Sequence, residues 1–184
     1  MAKTKYKRIV DARLSEKEKH RRAFKLMTTL FIGTSLLIFG TMLIIWVASA
    51  LPNVQIPFSF QVNTLVIIIS SGLLHMGLRS LKQDKIHEAG LWVKGAMLTG
   101  LIFAVVQING WGGFLASNTA YRNILFPVTV VHFLHIVVGI GLLIFAVRKI
   151  TDYQNHSRNL DFTINVSRFW HFLTYLWVGF MLVL

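Results

Sequence analysis

Cysteine is missing from these 184 residues, which removes disulfides, thiolate metal sites and cysteine nucleophiles together. Charge is scarce as well: 14% of the residues are Asp, Glu, Lys or Arg, against roughly 25% in soluble domains, and 54% are hydrophobic. Acidic residues are the rarest of the charged types, seven in all, and none lies inside a long apolar run. Proton pumps, ion-coupled transporters and voltage sensors need charge relays or ion ligands within the membrane, so this absence argues against all three. A soluble domain of useful size is excluded by the same count. Removing the apolar runs leaves only a short amino-terminal arm and loops of about a dozen residues.

What remains is a set of five apolar spans, at about residues 24–50, 61–79, 91–109, 123–148 and 166–184. Each is near or above the roughly 20 residues that a helix needs to cross a bilayer. They predict an all-α integral membrane protein, with a five-helix membrane domain at 24–184 and a basic amino-terminal arm at 1–23. Ala48-Ser49-Ala50 resembles a signal-peptidase site, but the apolar region before it exceeds the roughly 7–15 residues of a signal core. A retained helix is expected there. Between the spans, Lys82 to Glu88 reads as a charged turn and Asn109 to Arg122 as a polar, glycine-rich loop with Trp111 in an interfacial belt.

The basic residues sort by side. Ten of the 19 Lys and Arg lie in residues 1–25, four in 79–94 and four in 148–168, whereas the opposite side has Arg122 alone. The positive-inside rule then predicts a cytoplasmic amino terminus and a periplasmic carboxy terminus. The net charge of +12 is thereby an orientation signal rather than a nucleic-acid footprint, and the arm is expected at an anionic membrane surface. Arg79, Arg148 and Lys149 fall at cytoplasmic helix ends, where side chains reach phospholipid phosphates.

Four histidines, His75, His132, His135 and His171, are the ionisable groups deepest in the spans. His132 and His135 are three positions apart, which puts both on one helical face. They could be axial ligands of a haem held between facing helices. They could equally be neutral imidazoles bonded to backbone carbonyls, hydroxyls or lipid headgroups. Glycines spread through the spans mark close approaches between helices.

Several short runs carry a family resemblance. His132-Phe133-Leu134-His135 followed by Val138-Gly139 resembles the F-H-G-L-H-V-x-x-G segment of subunit III of haem-copper oxidases. Trp170-His171-Phe172 with Trp177 is similar to W-H-F-V-D-x-V-W in that family's last helix. Asn63-Thr64-Leu65, Ser70-Ser71 and His75 are similar to N-T-x-x-L-x-x-S-S-x-x-x-H. Gln107 with Trp111 resembles Q-x-x-E-[YW], and Lys25-Leu26-Met27 with Leu30-Phe31-Ile32 resembles K-x-G-M-W-L-F-I-x-S-E. The runs occur in order across all five spans.

The resemblance implies the short, five-helix bacterial form of subunit III in an inner membrane. It implies no catalytic, cofactor or metal residue in this chain, haem and copper in partner subunits, and bound phospholipid. Catalytic subunit I and the other oxidase subunits would be partners, with a larger supercomplex as a further possibility and no nucleic acid. His75, Arg79, His132, His135, Arg148, Lys149, Trp170 and His171 become structural or lipid-contact candidates. Where the family has acidic residues, this chain has Ser35, Gly110, Ile164 and Thr174, so no proton-feeding carboxylate is inherited at Ser35. Two other readings stay open: the related accessory subunit of nitric oxide reductase systems, and a small b-type cytochrome with haem on the membrane histidines.

Overall fold

The computed structural model describes residues 2–49, 58–116, 122–151 and 156–183. Five helices account for nearly all of them: α1 (Ala2–Ala48), α2 (Phe58–Lys82), α3 (Ile86–Ala116), α4 (Arg122–Thr151) and α5 (His156–Val183). There is no strand among the described residues. All five helices are long and apolar enough to cross a membrane, α1 over Val10–Ala48 and α5 over Leu160–Val183. A backbone in lipid must satisfy its own hydrogen bonds, and the helix does this within one segment.

Contacts divide the chain into two units, Met1–Leu36 and Leu37–Leu184. The first holds only the amino-terminal part of α1, whose remainder from Leu37 belongs to the second. Its hydroxyls turn back onto the preceding turn, Thr28 onto the Phe24 carbonyl at 2.9 Å and Ser35 onto that of Phe31 at 2.6 Å. A solvent-exposed pair, Arg22 with Glu18 at 3.6 Å, braces the charged part at helical i,i+4 spacing.

In the second unit α2, α3, α4 and α5 form a closed ring, in which α5 packs back on α2. The hairpin from α2 to α3 is short. The Ser80 carbonyl accepts from the amides of Gln83 and Lys85, each at 3.0 Å, and Asp84 turns the chain with φ at 59°. Aspartate tolerates that left-handed conformation better than most residues. Arg79 and Lys82 occupy the last turn of α2, where the helix dipole favours positive charge.

The end of α3 differs from the sequence expectation. Residues 109–116 continue the helix, and 117–121 lie outside the described residues. Gly110 is buried, and a side chain there would meet Ser59 Oγ at 3.2 Å and the Phe60 ring at 3.3 Å. Trp111 donates its indole N–H to Thr129 Oγ1 at 3.0 Å. Contacts with α2 and α4 thus override the loop preference of the glycines.

The core is built around Trp170 on α5, fully buried and clamped between two glycines. A Cβ at Gly100 on α3 would come within 2.7 Å of its six-membered ring, and one at Gly139 on α4 within 2.9 Å. With a backbone on either side the indole has no direction in which to yield. Gly100→Ala and Gly139→Ala are each expected to destabilise the bundle by about 1–3 kcal/mol. Gly72→Ala, whose Cβ position has no atom within 4 Å, should be close to neutral. Thermal loss of helical circular dichroism in detergent reads all three, and Trp170→Phe should recover part of the Gly139→Ala loss.

Candidate functional site

The sequence-predicted histidines form two separate pairs. His132, 1% exposed, lies at the centre of the ring among aromatic side chains. Its imidazole stacks on Trp177 with centroids 5.1 Å apart, and it meets Phe103 at 5.9 Å and Phe39 at 6.1 Å edge to face. Neither ring nitrogen has a hydrogen-bond partner. His135, one turn on and half-buried, also meets Phe39, at 5.7 Å, and its Nδ1 lies 2.7 Å from the Val131 carbonyl, to which it donates. The shared contact with Phe39 realises the common face that the spacing of three predicts.

Polar groups around this core bind helices to one another. Trp177 on α5 donates to Thr64 Oγ1 on α2 at 3.1 Å. Asn63 on α2 donates to the Phe103 carbonyl and to Gln107 Oε1 on α3, both at 3.1 Å, and Ser70 on α2 donates to the Ala96 carbonyl at 2.7 Å. Phe103 in turn packs edge to face on Trp177 at 5.3 Å. Asn63, Gln107 and Ser70 are all fully buried. The sequence reading took them as parts of motifs without a role. The signal available was the bare presence of amide side chains inside apolar spans, where each demands a partner.

The second pair lies between α2 and α5. His75 and His171 have ring centroids 6.2 Å apart, and Ser71 Oγ is 2.5 Å from His171 Nδ1. His75 is exposed and His171 half-buried. Arg168, exposed and one turn before His171, extends this group; as a lone basic residue within the last apolar span it was counted only for topology. Arg79 is exposed one turn beyond His75. At the end of α4 Arg148 is exposed, and Lys149 holds its ammonium 3.9 Å from the centre of the Phe162 ring. Trp170 belongs to the clamp rather than to either pair, and its indole N–H has no hydrogen-bond partner.

Chemically, these groups pack and hydrogen-bond. Among the described residues no three of His, Cys, Asp and Glu come close enough to share a metal ion.

No family model matches the chain. Individual curated proteins do. It is 25% identical over 170 residues to the probable cytochrome c oxidase subunit 3 of Mycobacterium leprae, an alignment covering 85% of this chain and 84% of that one. It is 23% identical over 158 residues to cytochrome c oxidase subunit 3 of Synechocystis sp., covering 82% of this chain and 66% of the relative. To the cytochrome bo(3) ubiquinol oxidase subunit 3 of Pseudomonas aeruginosa it is 25% identical over 122 residues, 64% of this chain and 58% of that one. Over most of its length the chain is thus similar to subunit 3 of cytochrome c and ubiquinol oxidases.

At two of the positions where the resemblance implies a carboxylate, the hydroxyl present bonds its own helix: Ser35 to the Phe31 carbonyl, and Thr174 to the Trp170 carbonyl at 3.1 Å. Gly110 instead makes room for the Phe60 ring. None of these three residues brings a charge that would need a partner in a low-dielectric setting.

A histidine packed as an aromatic ring predicts a particular substitution pattern. His132→Phe should leave the melting temperature unchanged or raise it, because the two nitrogens give up no bond within the protein. His132→Ala should cost about 2–4 kcal/mol through the cavity that it opens. Thermal unfolding of both variants in the same detergent decides this, and a His132→Phe variant that loses more stability than His132→Ala would refute the packing role.

Proposed function

We propose that this chain is the non-catalytic subunit III of a terminal haem-copper oxidase in a bacterial inner membrane, with its amino terminus in the cytoplasm. It acts as a helical scaffold that holds lipid and stabilises catalytic subunit I, while the assembled complex reduces dioxygen to water and translocates protons. The observation that carries this reading is the alignment over 85% of the chain with a relative named as cytochrome c oxidase subunit 3. The distribution of Lys and Arg supports the orientation.

In this reading residues 1–23 are a cytoplasmic arm, and Arg148 and Lys149 meet lipid phosphates at the inner surface. His75, His132, His135, Trp170 and His171 hold the bundle together. The haem and copper belong to partner subunits.

The test is purification through a tag on this chain in mild detergent, with mass spectrometry and an optical spectrum of the same fraction. The expected outcome is a co-purifying haem-copper catalytic subunit, with a haem spectrum that leaves the fraction when that partner is stripped away and is unaltered in His132→Phe. A catalytic subunit of the nitric oxide reductase type would assign the chain to that system instead. Haem retained on the isolated chain and lost with His132 or His135 would make it a b-type cytochrome.

A further inference from the structure

One layer of the helix ring gathers polar atoms that the packing role does not use. Asn63 on α2 is bonded to Gln107 on α3, and His132 on α4 stacks on Trp177 of α5, whose indole N–H reaches Thr64, the neighbour of Asn63. Phe103, one turn before Gln107, touches both His132 and Trp177. The register of α3 against α4 fixes the same level independently. These helices are antiparallel, since Gly100 and Gly139 meet the same indole ring while Trp111 meets Thr129. Gln107 lies two turns beyond Gly100, and His132 two turns before Gly139, so the two side chains are level. Asn63, Gln107, His132 and Trp177 are all buried, none more than 1% exposed.

Four polar atoms in this layer have no hydrogen-bond partner: Asn63 Oδ1, Gln107 Nε2 and both ring nitrogens of His132. Turning the amides about does not remove them. Asn63 must present its amino group to the Phe103 carbonyl, which can only accept, and that same amino group then needs the oxygen of Gln107. Asn63 Oδ1 is thereby fixed as a spare acceptor and Gln107 Nε2 as a spare donor. A neutral imidazole adds one acceptor and one donor. The groups are complementary, yet they stand on three helices without bonding one another. Buried groups of this kind are costly in a low-dielectric interior, and folded proteins satisfy most of them, often with an ordered water.

We infer that a water molecule is bound inside this layer, accepting from Gln107 Nε2 and donating to Asn63 Oδ1 and to the unprotonated nitrogen of His132. Internal waters make about three such bonds, and water alone offers two donors together with an acceptor. A cation suits the layer less well, because Gln107 turns a donor toward it and no acidic residue lies within the apolar spans to balance the charge. The water brings α4 into a network that, at this level, otherwise ties α2 to α3 and α2 to α5. The N–H left on the imidazole lies among the rings that pack it, Phe39 and Phe103. His132→Phe trades one bond to water for relief of a buried polar ring and leaves the water its two amide partners, so the small effect on stability expected above is retained. The inference rests on the packing of the four helices and not on the subunit III reading, so either can fail without the other.

Infrared difference spectroscopy of the full chain, in whatever complex it purifies with, tests this in ordinary and in heavy-oxygen water. Only the O–H stretch of water itself moves with the oxygen isotope, which separates it from every side chain. Wild type minus the double variant His132→Phe, Gln107→Met should show an isotope-sensitive O–H band that the double variant has lost. In His132→Phe alone the band should persist but shift to higher frequency, as one O–H loses its acceptor. Lys94→Gln, exposed and outside the layer, should leave it in place. Helical circular dichroism checks folding; if the double variant does not fold, the shift between wild type and His132→Phe carries the comparison. An isotope-sensitive band that is the same in wild type and in the folded variants would overturn the inference, as would its absence from wild type. A thermal midpoint that climbs with sodium or potassium at constant ionic strength, and does so only while Asn63 and His132 are intact, would overturn it in favour of a cation site.

Discussion

Helices immersed in lipid gain no hydrophobic free energy by meeting one another, so the bundle depends on how closely its surfaces can approach. Trp170 shows how far this chain takes that constraint. The largest side chain of the core is seated against the two positions, Gly100 and Gly139, where neighbouring backbones have no Cβ to hold it away. Dispersion forces fall off within a fraction of an ångström, and removing a side chain from each wall converts a gap into contact. α3, α4 and α5 meet at this one ring system. Elsewhere the ring of helices is tied by hydrogen bonds from buried polar groups, Asn63, Ser70 and Trp177 among them, each of which crosses from one helix to another.

This arrangement explains why a membrane protein with four intramembrane histidines needs so little charge. His132 is treated as an aromatic ring, stacked and edge-packed by three others. His135 and His171 each have a nearby oxygen, the first on its own helix and the second on α2. Neutral imidazole is tolerable in such surroundings where an ammonium or carboxylate would not be. Ser35 and Thr174 fit the same pattern, because each hydroxyl donates to a carbonyl of its own helix, which an ionised carboxylate, having no proton to give, cannot do.

The helical fold was legible because bilayer thickness fixes the length of an apolar span, and five such spans leave little room for any other structure. The helix ends were not legible to the residue, because apolar length does not register polar turns that stay helical when tied to a neighbour. Residues 109–116 illustrate this: glycines signal a loop, yet the contacts of Gly110 with α2 and of Trp111 with α4 keep them in α3. The pairing of His132 with His135 followed from helical spacing. The pairing of His75 with His171 did not, since it depends on which helices are neighbours and in what register. Arg168 was overlooked for the same reason. One basic residue in an apolar span has meaning only once its neighbour one turn on, His171, is found against His75 of another helix.

Closure of the ring between α5 and α2 bears on how the chain is made. Helices emerge in order, and α2, α3 and α4 can associate as soon as each has entered the membrane. α2 nevertheless waits through the synthesis of the two that follow before α5 reaches its open flank. Until then Thr64 lacks the Trp177 indole, Ser71 lacks His171, and the glycines at 100 and 139 face an empty slot where Trp170 belongs. A nascent chain halted before α5 therefore displays polar edges and an unfilled seam to the lipid. The arrival of α5 fills the slot between the two glycines and covers those edges.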